Sequence, residues 1–551
     1  MTKAPPQSDE LVKAARETGE LFHDADGTGY ADVLAPEPVE HHEILRIRSR
    51  IFRTWLAGRY WRANGRPAGG QALTDAIDVL SSLAQFEGPV RPVGLRIAKH
   101  RGAIYLDLGD DRWRVVEIDT IGWRILDRSP LPFRRPRGLR PLPLPVAGGS
   151  LEELREYVNV ADDDQYRLLA GWLLGAFRPA GPYLVLVLTG EQDSAKTTTA
   201  RLLRLLVDPN EVGDRTLPRD EQSLAIAANN SWVASFDNVS TLADWQSDAV
   251  ARMATGAGFG TRQLYSDDEE FLIHVARPII LNGIGGIVTR PDLMDRAIVV
   301  DLAAIEEDRR RPEDEYYGAF EAARPRLLGA LLNAVSAAFG REDQVVIKRL
   351  PRMADATRWI TAGEGALRWP ERSFLAAYVG NRANSRALTL EASPLAAPLR
   401  ILLADADSWA GTATELLKAL EQRVDDQVTK RTDWPKTAQL LGIDLRRLAP
   451  DLRKVENIEA VFPTRHDKGG RRLSLVRVRN PLSEPSGLSV ADNADNADND
   501  PRTRTNGSMP LWAVDAAGPN GTDGTHGKAP AAVEDDYPPS AFWTDEPEAA
   551  S

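Results

Sequence analysis

Pro182-Tyr183-Leu184-Val185-Leu186-Val187-Leu188-Thr189-Gly190-Glu191-Gln192-Asp193-Ser194-Ala195-Lys196-Thr197-Thr198-Thr199 decides how this 551-residue chain folds. Leu184 to Leu188 is a continuous apolar run. Strands buried on both faces look like this, and such strands belong to parallel sheets. A loop bounded by Gly190 follows. Lys196-Thr197 then opens a helix whose buried stripe is Leu202, Leu203, Leu205 and Leu206, ahead of Pro209. Strand, glycine-bounded loop and Lys-Thr helix start have the spacing of a phosphate-binding loop, the Walker A motif. In that motif the N–H groups of Glu191, Gln192, Asp193, Ser194, Ala195 and Thr198 would cradle phosphate oxygens at the helix N-terminus. Lys196 would set a point charge on the β- and γ-phosphates, and the Thr197 hydroxyl would coordinate Mg²⁺. Ala195 stands where the pattern has glycine, and a negative φ there would let the loop close. Asp193 puts a carboxylate where phosphates would lie.

Two further apolar strands follow at fitting distances. Ser231-Trp232-Val233-Ala234-Ser235-Phe236 ends in Asp237, 47 residues after Gly190. A carboxylate at the end of such a strand holds Mg²⁺ through water, the Walker B role. Asn238 comes next, where a catalytic glutamate usually stands. Its amide can bond a water but cannot accept the water's proton, so Asp244, Glu269 and Glu270 are the other acids to weigh as a base. Arg277-Pro278-Ile279-Ile280-Leu281 ends in Asn282, 45 residues after Asp237, where an amide would orient the attacking water or touch the γ-phosphate. Arg290 and Arg296 follow and are candidates for a finger reaching a neighbouring subunit's nucleotide. Four elements in this order make a chance surface turn a poor explanation of the loop.

These residues resemble the C-terminal ATPase of phage and plasmid primase–helicase proteins, in the superfamily 3 helicase branch of AAA+ ATPases. The resemblance runs from about Leu21 to Val478 and is most specific in SWVASFDNVS, MATGAGFGTRQLYSDDEEFLIHVARPIILNGI and TRPDLMDRAIVVDL. The upstream strings FHDADGTGYADV, GAIYLDLGDDRWRVVEI and FRRP look like the region preceding this ATPase in actinobacterial mobile elements. The resemblance implies an ATP- and Mg²⁺-dependent, ring-forming DNA helicase, a homo-oligomer and most simply a hexamer, replicating a phage or integrative element. It also implies a hairpin ahead of Asn282 that tracks single-stranded DNA, with strands Gly260–Tyr265 and Phe271–Val275. Its tip, Ser266-Asp267-Asp268-Glu269, is acidic. That leaves Arg262 as the phosphate contact, or else a hairpin that shapes the subunit interface. No Asp-x-Asp or Toprim-like acid cluster suggests primase chemistry. The alternative from another class is a nucleotide-switched DNA-binding or loader protein that does not unwind, which Asn238 favours.

Around this centre the expected fold is α/β, a P-loop AAA+-like core over residues 146–310. Residues 1–40 read as a flexible N-terminus with a short helix and loops. Residues 41–145 read as an α+β domain, helical from Ile44 to Leu83 and then a β-meander from Val93 to Leu126. Pro130 to Pro145 holds six prolines and reads as an extended linker. Residues 311–395 read as a helical connector. Residues 396–480 have the helix and hairpin order of a winged helix, with Arg446, Arg447, Arg453 and Lys454 on its last helices and Arg465, Lys468, Arg471 and Arg472 on its wing. Residues 481–551 repeat Ala-Asp-Asn, lack periodic apolar positions and read as disordered. Their Tyr537, Phe542 and Trp543 among acids suit partner docking or a plain solubilising tail.

Charge must be divided to be read. The formal net charge is −12, but residues 481–551 carry 13 acidic and 3 basic residues, which leaves the first 480 near neutral. Arg46 to Arg66 has seven Arg and no acid, and Lys430 to Asn480 has 13 basic against 6 acidic residues. Such stretches suit a polyanion, with DNA the expected partner. Trp55, Tyr60 and Trp61 in the first could stack bases or form core. With no cysteine, thiolate zinc sites, disulfides and cysteine nucleophiles are excluded. No apolar run reaches 18 residues and no apolar leader opens the chain, so no membrane contact and a cytoplasmic location are expected.

Overall fold

The computed structural model describes residues 6–35, 41–256, 258–262, 270–273, 275–462 and 472–478. At its centre four parallel strands lie in the order Ala297–Leu302, Val185–Gly190, Ile279–Asn282, Ala234–Phe236. The fold is mixed α/β. Alternation divides the apolar runs between two cores. Leu186, Leu188, Ile280, Ile298 and Val300 pack on one face with Trp172, Leu202 and Leu203. Val185, Val187, Ile279 and Leu281 pack on the other with Phe236, Leu224 and Val250. Both faces are covered, which is why the strands show no polar alternation.

Both sheet edges are closed by polar contacts. At one edge Val299 N–H donates to Asn381 Oδ1 at 3.0 Å, and Asn381 Nδ2 donates to Val299 O at 2.6 Å. At the other, Arg215 bridges Phe236 in parallel, and Asp237 N–H donates to Arg215 O at 2.8 Å.

The N-terminal region departs from expectation. Residues 7–34 are a helix, Gln7–Thr18, and two strands, Gly19–His23 and Gly29–Leu34; a third strand, His42–Arg46, stands where a helix was expected to begin. These residues are therefore not a flexible lead-in. Leu11, Ala15, Ala31, Val33 and Leu45 share a core with Phe52, Leu56, Tyr60, Leu73 and Leu80 from the helices Arg50–Asn64 and Gly70–Phe86. Tyr60 is therefore core, while Trp61 is exposed. Polar Glu20, His23 and Asp32 on these strands hide their alternation from a sequence reading.

The meander follows as four antiparallel strands, Ile97–His100, Ala103–Asp107, Val115–Ile118 and Trp123–Leu126. The proline-rich stretch after it is pinned rather than free. Leu131, Phe133 and Leu142 are buried. Arg135 holds Asp107 at 2.5 Å, and Arg134 donates to Asn229 Oδ1 at 2.7 Å.

Residues 396–477 form a helix Ala396–Asp405, a strand Ser408–Thr412, helices Ala413–Glu421, Asp426–Lys430 and Ala438–Val455, and strands Ile458–Val461 and Arg472–Arg477. The last strand lies between the other two in an antiparallel sheet. Leu399, Leu416, Leu420, Leu445, Leu452 and Leu475 make its core. Arg446, Arg447, Arg453, Lys454 and Arg472 are exposed; Arg465, Lys468 and Arg471 lie outside the described residues, as do the tail from 479 and the hairpin tip Ser266–Glu269. The hairpin's described strands are Phe259–Arg262 and Glu270–Ile273. Among the described residues no single helix is long and apolar enough to cross a membrane.

Candidate nucleotide site

Of the sequence-predicted site residues, Lys196, Thr197, Asp237, Asn238 and Asn282 gather at the C-terminal end of the parallel strands, where open α/β sheets hold ligands. The strand Val185–Gly190 runs into the loop, and the helix Lys196–Val207 starts immediately after Ala195. Gly190 has φ 144°, and a Cβ there would sit 2.2 Å from Leu302 O. No side chain fits that approach. The first-turn N–H groups of the helix have no intrahelical acceptor, which leaves them to a ligand at the loop.

Ala195 corrects an expectation. Its φ is +60°, in the left-handed region, not negative. The loop closes by placing alanine where glycine is at ease, at a cost of about 1–2 kcal/mol. Ala195→Gly should therefore stabilise the chain by about 0.5–1 kcal/mol, the strain relieved less the glycine's extra unfolded-state entropy. Urea unfolding of the variant beside the native chain measures this; a fall in stability would contradict it.

Lys196 is folded onto its own loop. Its Nζ donates to Gly190 O at 3.1 Å, to Ser194 Oγ at 3.1 Å and to Glu191 O. Ser194 is buried and donates to Glu191 O at 2.9 Å, which fixes the loop's curve. Gln192 is exposed. Asp193 meets a cation from an unexpected quarter. Arg310, just beyond the strand Ala297–Leu302, holds Asp193 Oδ2 at 3.3 Å, and Ile305 N–H donates to Asp193 O at 3.2 Å. The only hint of this in the sequence is the basic run Arg309 to Arg311.

Thr197 and Asp237 meet. Thr197 Oγ1 lies 3.2 and 3.4 Å from the two Asp237 carboxylate oxygens, across 40 residues of chain. A hydroxyl and a carboxylate this close, at a helix N-terminus, make an oxygen donor pair that suits Mg²⁺.

Asn238 and Asn282 meet as well. Asn238 has φ 55°, and its N–H donates to Asp237 Oδ1 at 2.8 Å and to Asn282 Oδ1 at 3.1 Å. That backbone donor fixes which way the Asn282 amide points. Its Nδ2 is buried and has no hydrogen-bond partner. A buried donor without an acceptor is costly, and ligand sites are where such groups persist. Gly283 lets the two strand ends approach: a Cβ there would lie 2.0 Å from Val239 O.

The structure does not bring the two candidate finger arginines to this group. Arg290 pairs with Asp248 at 3.0 Å and Asp244 at 3.6 Å, and Arg296 with Asp292 at 2.5 Å. Next to them Asp295 accepts Arg382 at 2.8 Å and also Arg386, which lies 3.7 Å from Asp451 on the helix Ala438–Val455. Burial alone would push the Asp295 carboxyl up, but Arg382 and Arg386 hold it below the usual range. This network ties the arginine-bearing segment to the C-terminal helices.

Residues 151–367 match the family model for the actinomycete integrative conjugative element replication protein, RepA. Residues 395–486 match the model for the C-terminal domain of the same protein. Together they take in more than half of the chain. It belongs to this family. No curated protein matches the chain in sequence. Among solved structures, the apo A form of the NrS-1 C-terminal region is 11% identical, with a TM-score of 0.38, over 85% of this chain and 98% of that one. Cch of SCCmec type IV, described as an active helicase, is 11% identical with a TM-score of 0.45, over 84% and 93%. The JCV helicase bound to a small molecule is 13% identical with a TM-score of 0.22, over 38% and 67%. In RepA terms, the larger family match contains Gly190, Lys196, Thr197, Asp237, Asn282, Arg290 and Arg296, and the smaller contains the basic C-terminal helices.

Proposed function

We propose that this RepA-family replication protein is a P-loop ATPase that works as a ring-forming DNA helicase or translocase. The observation that carries the reading is the convergence of Thr197, Asp237 and the orphaned Asn282 Nδ2 beside the Lys196 loop. Lys196 exchanges the carbonyls of Gly190 and Glu191 for the β- and γ-phosphates of ATP. Thr197 and Asp237 hold Mg²⁺, which when bound neutralises charge between those phosphates. Asn282 Nδ2 donates to the attacking water or to a γ-phosphate oxygen. Asn238 positions water without taking its proton, so the base comes from elsewhere.

Arg290 and Arg296 remain the finger candidates, and each must first leave its own acid. Arg290 does so more readily, with its side chain 30% exposed against 14% for Arg296. Residues 146–310 serve as motor, 311–395 as connector and 396–480 as a winged-helix-like DNA-binding unit. Arg446 stacks on Phe462 in that unit at 4.9 Å, next to the exposed basic helix face.

Asp237→Ala should keep part of the nucleotide affinity and lose Mg²⁺-dependent turnover, because the phosphate cradle survives while the metal's carboxylate does not. Steady-state hydrolysis with and without Mg²⁺ reads this, and an unchanged rate removes Asp237 from the metal site. The second reading, a nucleotide switch that loads or binds DNA without unwinding it, is favoured by Asn238. ATP-dependent displacement of an annealed strand separates the two.

A further inference from the structure

A cleft of about 980 Å³ adjoins the loop at Gly190 and Glu191, walled by the end of the strand Ala297–Leu302 and by the helices Asp163–Ala176 and Ser373–Ala392. Its wall is mostly apolar, with Ile284, Val288, Met294, Leu388 and Leu395 among its residues. Volume and lining are those of a small-molecule site. The ionisable groups around it are Glu191, Asp301, Asp433, Asp444 and Asp451 against Arg447. That balance repels an anion and suits a neutral group carrying hydrogen-bond donors.

One side chain in the wall lacks such a donor. Asp162 caps the helix Asp163–Ala176 by accepting Gln165 N–H at 2.8 Å. Upstream, Val160 bridges Leu302, and Asn159 donates to Ala303 O. The helix start is thus moored to the strand end, and Gln165 lines the cleft. Its Oε1 is buried and has no hydrogen-bond partner. A buried carbonyl oxygen at the wall of a cleft calls for a donor from whatever fills it.

A nucleotide whose triphosphate lies on the loop carries its sugar and base beyond the α-phosphate, and the cleft adjoins that loop at Gly190 and Glu191. Adenine presents an amino donor at the six position, and guanine presents a carbonyl there. We propose that this cleft is the nucleobase subsite and that Gln165 Oε1 accepts the exocyclic amine of adenine, making Gln165 the residue that selects ATP over GTP. The proposal rests on the phosphate-loop reading above.

Calorimetric titration of the full chain with MgATP, MgGTP and magnesium tripolyphosphate tests it, the last serving as the base-free reference for the loop in every variant. The native chain should prefer ATP about tenfold, the effect of one buried hydrogen bond made or left unmade. Gln165→Leu should bring the ATP-to-GTP ratio close to one. Gln165→Glu keeps an acceptor and should keep ATP preferred. Equal affinities in the native chain, or an unchanged ratio in Gln165→Leu, overturns the base subsite while tripolyphosphate binding upholds the loop. If Gln165→Leu no longer binds tripolyphosphate, the ratio in Gln165→Glu decides, and loss of ATP preference there overturns the proposal. A native chain that binds neither tripolyphosphate nor either nucleotide overturns the loop reading and the subsite together.

Discussion

Lys196→Ala is expected to weaken MgATP binding about hundredfold or more. Lys196 is the cation that the helix Lys196–Val207 carries at the head of the loop, within reach of Gly190 O, Ser194 Oγ and Glu191 O. On nucleotide binding its ammonium makes charge-assisted hydrogen bonds to two phosphates. Each is worth about 1.5–3 kcal/mol, and losing about 3 kcal/mol lowers affinity roughly hundredfold. Titration of the variant with MgATP measures the loss. Affinity equal to that of the native chain would remove the loop from nucleotide binding.

Arg96→Ala is expected to destabilise the chain by about 3–5 kcal/mol, the penalty for stranding a buried charge. Arg96 is fully buried. Its Nε donates to Asp208 Oδ1 at 3.1 Å, its Nη1 to Asp107 O at 3.0 Å and its Nη2 to Arg140 O at 3.0 Å. Asp208, just past the helix Lys196–Val207, also accepts Trp232 N–H at 2.8 Å and Val233 N–H at 3.1 Å. One guanidinium thus joins the meander, the proline-rich stretch and the nucleotide core. Adding Asp208→Asn should recover part of the loss, since an amide oxygen still accepts the two N–H groups but carries no charge. Urea unfolding of the single and double variants reads both effects. A loss below about 1 kcal/mol in Arg96→Ala would mean that water reaches the pair.

What the sequence disclosed, and what it hid, follows from the range of each signal. The parallel sheet was legible because strands covered on both faces must be apolar throughout, as Leu184 to Leu188 and Ile279 to Leu281 are. Lys196, Thr197, Asp237 and Asn282 were legible because each stands at a strand end or a helix start, positions that local pattern marks. Ala195 carries no sign of its φ, since the surrounding loop imposes it. The strands Gly19–His23 and Gly29–Leu34 were missed because each is short and Glu20, His23 and Asp32 break up its apolar residues. The partners of Arg290 and Asp193, and the cleft that Gln165 lines, are set by tertiary approach across long stretches of chain, and no spacing rule reaches them. Arg310 and Gln165 enter only once the strand Ala297–Leu302 is laid beside the loop.

In the proposed function, nucleotide bound at the Lys196 loop drives work on DNA. Steady-state MgATP turnover by the full native chain, with and without single-stranded DNA, tests it most directly. Turnover should depend on Mg²⁺, rise severalfold when single-stranded DNA is added and disappear in Lys196→Ala. Turnover that is absent, or that DNA leaves unchanged, would contradict it.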